Sequence, residues 1–356
     1  MSGLTGAPVR DLLVVGAGPT GIAIGAEARR AGLSVLLVDR GPLLASLVDF
    51  PIEMTFFTTR ERLEIAGVPF AVPEDKPNRR QAIVYYQAVA RAFGLEIERH
   101  CDIVSIRRTD GGFEVAGRAR DGARSFRARA VAVATGYFTN PLRLGVPGEG
   151  LPWVHARFRD PLPHSGERVV VIGAGNSGAE AALELFRRGA QVTLVHRGTE
   201  PKPTIKYWVR PDLENRIAEG SIAVRFSATV VGFLEGSVEI ARQGGRERLP
   251  AEAAYVLIGY APETGLLSDA GVLVDGVTGV PLFDPESCET PVPGLYVAGT
   301  VQSGKETQRI FIENSRDHGA RIVNHLLKGR GTSIAAEVSA HSLFPGGAEL
   351  SNKESR

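Results

Sequence analysis

Two copies of one glycine pattern, Gly16-Ala17-Gly18-Pro19-Thr20-Gly21 and Gly173-Ala174-Gly175-Asn176-Ser177-Gly178, stand 157 residues apart in this chain. A single pattern of that kind arises by chance in a sequence holding 42 glycines, so its surroundings decide what it means. The first copy follows the apolar run Leu12-Leu13-Val14-Val15 and opens a helical stretch over residues 19–31, after which Val35-Leu36-Leu37-Val38-Asp39 reads as a second strand. The second copy follows Val169-Val170-Val171-Ile172, opens a helix through residues 181–185 and reaches the strand Gln191-Val192-Thr193-Leu194-Val195. Strand, glycine turn, helix, strand is the unit in which glycines let the backbone turn tightly and approach a pyrophosphate at a helix N-terminus. Two such units predict an α/β chain with two Rossmann-like domains that holds two dinucleotides.

The two units end differently. Asp39 lies 23 residues after Gly16, where a carboxylate can accept the ribose hydroxyls, and Arg40 follows it. The same register after Gly173 holds His196, followed by Arg197. A carboxylate there would repel a 2′-phosphate, whereas a guanidinium fork suits it and a histidine can add a hydrogen bond. The first unit is therefore expected to hold FAD, on Gly16, Gly18, Pro19, Thr20, Gly21, Asp39 and Arg40. The second is expected to hold NADPH, on Gly173, Gly175, Asn176, Ser177, Gly178, His196 and Arg197. A chain carrying this pair of cofactors reads as a flavoprotein reductase.

Between and beyond the fingerprints, Ala130-Val131-Ala132-Val133-Ala134-Thr135-Gly136 reads as a buried strand ending in a Thr-Gly turn. It resembles the turn that closes the first part of the FAD domain in two-dinucleotide flavoproteins, which adds Thr135 and Gly136 to the FAD set. The return passes through Val256-Leu257-Ile258-Gly259-Tyr260-Ala261-Pro262, so the NADPH domain is expected as an insertion in the FAD domain, with hinges near 144–161 and 258–264. Gly294 to Thr300 then reads as strand and turn, and apolar spacing predicts a helix from Ile310 to Leu327. By resemblance to the same superfamily these place Gly299, Thr300 and Ile310 against the flavin; Thr300 stands where an aspartate is usual. The expected division is 1–155 and 261–328 for the FAD domain, 156–260 for the NADPH domain, and a loosely ordered tail at 329–356.

Composition agrees with an ordinary globular protein, with 43% hydrophobic residues to fill two cores. Lys plus Arg at 41 against Asp plus Glu at 40 gives no general electrostatic reason to expect nucleic acid as a partner. No apolar run approaches the ~20 residues that span a bilayer, and Met1 to Arg10 lacks a basic start with an apolar core, so no membrane partner and a cytoplasmic location are expected. Only two cysteines occur, Cys101 and Cys288, so no CxxC dithiol is available and both are read as structural. The seven histidines show no metal-ligand spacing, and no metal is expected.

Five further stretches, Thr55-Phe56-Phe57-Thr58-Thr59, Gln81 to Tyr86, Ala134-Thr135-Gly136-Tyr137-Phe138, Ile205-Lys206-Tyr207-Trp208 and Phe311-Ile312-Glu313-Asn314, occur in order along residues 10 to 328. Together they resemble the bacillithiol disulfide reductase family of NADPH-dependent flavoproteins. The resemblance implies homo-oligomers, a low-molecular-weight disulfide as acceptor, Thr58, Thr59 and Tyr86 near the flavin, and Lys206 on the NADPH side. Members of that family commonly have cysteine where this chain has Thr20, so a mixed disulfide at that position is not available and the flavin itself is the redox centre. Three other readings share the cofactors. One is a ferredoxin-type or flavodoxin-type NADP reductase with a redox-protein acceptor, for which Arg79, Arg80, Arg107 and Arg108 would form a basic rim. Another is a flavin monooxygenase, faintly suggested by Gly148 to Phe158, and the last is a flavin redox sensor.

Overall fold

The computed structural model describes residues 8–329. Leu12 and Val14 pack into one core while Leu13 and Val15 pack into another, because successive strand residues point to opposite faces. A strand buried on both faces needs a layer on each side, which is why these runs are apolar without alternation. The parallel part of the first sheet runs in the order Glu96–Arg99, Val35–Asp39, Val9–Val15, Gly122–Val133, Leu295–Val297. One face is covered by the helices Pro19–Arg30, Arg79–Ala92 and His318–Gly329. The other is covered by an antiparallel meander in which Gly122–Val133 continues beyond the parallel sheet to pair with Gly112–Ala119, and that in turn with Cys101–Thr109.

The second sheet repeats the logic. Its five strands, ordered Ala223–Arg225, Gln191–Val195, Arg168–Ile172, Ala253–Val256, Val154–His155, are all parallel. Val169 and Val171 face the core under the helix Asn176–Arg187, and Val170 and Ile172 face the three-stranded antiparallel sheet of Thr229–Leu234, Ser237–Arg242 and Gly245–Pro250. All of these strands fall in sequence between Gly122–Val133 and Leu295–Val297, two neighbouring strands of the first sheet.

The two passages between the sheets lie side by side. Pro141 and Tyr260 form an antiparallel bridge, Leu142 N–H donates to Gly259 O at 3.0 Å, Asn140 Nδ2 donates to Ala261 O at 3.0 Å, and the Phe138 and Tyr260 rings stack at 4.6 Å. The continuous helix read over Ile310 to Leu327 is in fact two pieces, Ile312–Ser315 and His318–Gly329. Ser315 Oγ bonds back to Phe311 O at 2.7 Å, a local alternative to the helical ladder, and the chain re-enters a helix with Gly319 tight against Ala23 O. The apolar period runs through both pieces, so it could not show the break. Residues 330–356, nearly all of the expected tail, lie outside the described residues, and Gly329 closes the last helix.

Candidate dinucleotide cavity

The two glycine loops are the same object built twice. In the first, Gly16 N–H donates to Val38 O, Ala134 N–H to Val15 O, and Ile22 N–H to Gly18 O; in the second, Gly173 N–H donates to Val195 O, Leu257 N–H to Ile172 O, and Ala179 N–H to Gly175 O. Gly16 and Gly173 both have φ of +110°, and a Cβ on either would collide with the carbonyl of the crossing strand end, Ala134 O or Leu257 O. A Cβ on Gly21 or Gly178 would collide with the carbonyl of the first glycine of its own loop. The middle glycines differ: nothing but Ser46 Oγ at 3.9 Å faces Gly18, and nothing but Lys202 Cδ at 3.8 Å faces Gly175. The protein's own packing therefore demands the outer glycines, while the middle ones leave room over a helix N-terminus where a pyrophosphate fits.

Both loops open on a single cavity of about 1870 Å³, lined among others by Gly16, Gly18, Pro19, Thr20, Asp39, Arg40, Thr135, Gly136, Gly299 and Thr300 from the first unit. Gly173, Gly175, Asn176, Ser177, His196, Arg197 and Lys206 line it from the second. Gly21 and Gly178 sit behind the loops, as their packing requires. Thr58, Thr59 and Ile310 do not line the cavity; their neighbours Thr55, Phe56, Phe57, Arg309, Phe311 and Ile312 do. Tyr86 is fully buried, donates to Leu63 O at 2.9 Å and packs edge-on against Tyr85, away from the cavity. Aromatic rings gather on the wall between the loops: Phe50 meets Phe138 edge-on at 4.5 Å, and Phe57 meets Phe311 at 5.4 Å.

Charge is arranged differently at the two loops. Asp39 accepts from Ala17 N–H at 2.6 Å and Gly41 N–H at 2.8 Å, so its carboxylate braces the first loop from beneath. Arg40 is turned toward Glu263 at 2.9 Å across the return passage. On the second loop Arg197 is exposed and makes no hydrogen bond or salt bridge among the described residues. Beside it His196 is buried, and desolvation first, then Lys202 and Arg197, hold its pKa below the usual value. Lys202 was not evident in the sequence: its backbone N–H donates to Ala174 O at 2.9 Å, which lays the side chain along the open middle glycine. Lys206 is occupied, with Nζ on Glu180 at 2.6 Å and over the Phe57 ring at 5.0 Å, while Asn176 accepts from Lys206 N–H at 2.9 Å. Unpaired cations on one loop and a carboxylate on the other suit a phosphorylated ribose and a free ribose respectively.

Around the first loop, Thr20 Oγ1 lies 3.2 Å from Ser315 Oγ and crowds Gly299, whose N–H donates to His318 Nδ1 at 3.1 Å. Thr135 Oγ1 is buried with no partner among the described residues, an open hydrogen-bonding position beside the loop. Cys101 and Cys288 are both buried, and desolvation pushes both thiols up, which makes them poor nucleophiles. No cluster of His, Cys, Asp or Glu among the described residues can hold a metal ion, and none of their helices is long and apolar enough to cross a membrane.

Two Rossmann-type units sharing one cavity define a two-dinucleotide oxidoreductase. A family model described as pyridine nucleotide-disulphide oxidoreductase matches residues 13–299. Bacilliredoxin reductase Bdr of Bacillus subtilis (strain 168) is 34% identical over 318 residues, 89% of this chain and 97% of that protein. The solved structure of bacillithiol disulfide reductase Bdr (YpdA) from Bacillus cereus superposes with a TM-score of 0.88 at 32% identity, over 90% of this chain and 100% of the other. A ferredoxin–NADP reductase of Ignicoccus hospitalis is 27% identical over 82% of this chain and 90% of its own. The chain belongs to the pyridine nucleotide-disulphide oxidoreductase family, and it is an NADPH-dependent flavoprotein oxidoreductase whose cofactors are FAD and NADPH.

Proposed function

We propose that this enzyme reduces a low-molecular-weight disulfide of the bacillithiol disulfide class. The observation that carries the reading is the likeness over nearly the whole chain to Bdr of two Bacillus species, together with one cavity that both dinucleotide loops share. In this reading residues 1–155 and 261–328 form the FAD domain, 156–260 the inserted NADPH domain, and 329–356 a tail. Gly18 and the helix N-terminus behind it receive the FAD pyrophosphate, with Thr135, Gly136 and Thr300 alongside. Gly175 and Lys202 receive that of NADPH, and Arg197 with His196 takes its 2′-phosphate. FAD, when bound, supplies the two-electron chemistry, and the chain's part is to orient, to exclude water and to set the field around the ring. Thr20 forms no covalent link with sulfur, so the acceptor meets the electrons at the flavin and not at a protein thiol. Homo-oligomeric assembly and a cytoplasmic setting complete the reading by family resemblance.

Anaerobic addition of NADPH should bleach the yellow flavin band, and bacillithiol disulfide added next should restore it rapidly. A flavin that stays reduced would refute the disulfide reading. Arg197→Ala should raise KM for NADPH roughly ten- to a hundredfold, the worth of a charge-assisted hydrogen bond of about 1.5–3 kcal/mol, and leave KM for NADH nearly unchanged. Equal effects on both would remove Arg197 from its assigned role.

A redox-protein acceptor is the second reading, favoured by Trp208 lining the cavity beside Tyr207, which is 82% exposed. The basic rim considered for it is absent from the cavity wall: Arg79 donates to Leu47 O and Val48 O, Arg107 pairs with Glu114, Arg108 bonds Pro293 O, and Arg80 does not line the cavity. Of the stretch that suggested a monooxygenase, Gly148 and His155 lie off the cavity, packed on Phe233 and Tyr255, and Phe158 lines it.

A further inference from the structure

Reducing a disulfide with NADPH takes up one proton from solution, since hydride transfer supplies two electrons and one proton while two S–H bonds must form. A group on the cavity wall that holds the other proton can deliver it at the moment of transfer. Of the carboxylates on that wall, Asp39 is committed to Ala17 and Gly41 N–H, Glu180 to Lys206 and Glu263 to Arg40, while Asp102 and Asp269 are exposed to solvent. Glu313 is different. It lines the cavity from the turn Ile312–Ser315, whose Ser315 hydroxyl touches Thr20 at the first glycine loop. No side-chain donor reaches its carboxylate among the described residues. Its own backbone N–H and the field of Arg62 favour the charged form, and burial outweighs them, which raises its pKa. The other titratable groups facing it, Tyr86 and Tyr137, are phenols that burial keeps neutral.

We propose that Glu313 is the proton-holding acid of this cavity, which takes a proton from water as an electron pair reaches the flavin and gives it to the reduced acceptor. For a disulfide the S–S bond breaks and two S–H bonds form. The two electrons and one proton that arrived as hydride would come back from bound FAD, and Glu313 supplies the remaining proton and is recharged from water in the next cycle. Negative charge arriving on a ring held at this end of the cavity would drive the uptake, because a like charge disfavours an ionised carboxylate. The first part rests only on the FAD and NADPH chemistry; the final transfer rests on the disulfide reading.

The test is the flavin midpoint potential of the holoenzyme, titrated against pH by spectroelectrochemistry in wild type and in Glu313→Gln. Wild type should take up two protons per electron pair over a range near neutrality, and Glu313→Gln one proton per pair over that same range. One proton per pair throughout in wild type overturns the proposal, and so does a two-proton range that survives in Glu313→Gln, since the proton then sits elsewhere. Glu313→Asp should keep the second proton but move its pH range; a curve superposing on wild type would likewise overturn the assignment, and this comparison decides the matter if the Gln variant fails to load FAD. No acceptor enters the titration, so failure of bacillithiol disulfide to reoxidise the flavin leaves the result standing.

Discussion

His318 shows what a single residue contributes behind a site. It is 5% exposed, accepts the Gly299 N–H that fixes the turn under Thr20, and desolvation lowers its pKa to about 4 from the ordinary 6.5. The folded protein thus binds fewer protons than the unfolded chain between those values, and stability is full above pH 6.5 and declines as pH falls toward 4. The depression corresponds to about 3 kcal/mol at most. Thermal melting between pH 4 and 7 should show that decline in wild type and a flatter profile in His318→Gln; parallel profiles would assign the acid sensitivity to other groups. Asp39, His196 and Arg197 were legible in the sequence because their register from the glycines is fixed by the length of one helix and one strand. Lys202 was not, because a backbone bond to Ala174 across a proline-flanked loop brings it over Gly175, and nothing periodic announces such a contact. Lys206, placed on the NADPH side by family resemblance, pairs with Glu180, a contact that no sequence pattern announces.

Elements repeat that lesson with different stakes for each glycine. Gly178→Ala forces a methyl into Gly173 O, so the second loop must deform; NADPH should no longer reduce the flavin, while FAD stays bound on the untouched first loop. Gly175→Ala meets no protein atom closer than Lys202 Cδ at 3.8 Å, so the variant should melt within about 1 kcal/mol of wild type yet bind NADPH far more weakly. A large loss of stability in Gly175→Ala, measured by melting, would contradict the reservation of that space for ligand. Strand and helix existence could be read from apolar runs and glycine punctuation. The break at residues 316–317 could not, since it follows from Ser315 bonding back to Phe311 and from Gly319 meeting the first-loop helix.

At the scale of the molecule, the insertion of one nucleotide unit in another leaves two passages, zipped together at Pro141 and Tyr260. Gly259 there has φ of +118°, with Leu142 Cδ1 3.6 Å from the position of a Cβ, so Gly259→Ala is penalised by backbone strain more than by crowding. It should cost on the order of 1–3 kcal/mol, read as a lower melting temperature with both cofactor sites still competent. The sequence showed that there were two units and roughly where the chain crosses, but the pairing of the crossings depends on both ends meeting in space. The same whole-chain view bears on the two thiols, Cys101 and Cys288, each about 1% exposed and each made harder to ionise by burial. Cys101 lines the cavity but is closed off from solvent there, so with threonine at position 20 a catalyst proposed to work on oxidised sulfur compounds offers them no exposed thiol among the described residues. It cannot be parked as an adduct with its surroundings, and an alkylating agent such as iodoacetamide should find the folded enzyme inert and leave its turnover intact.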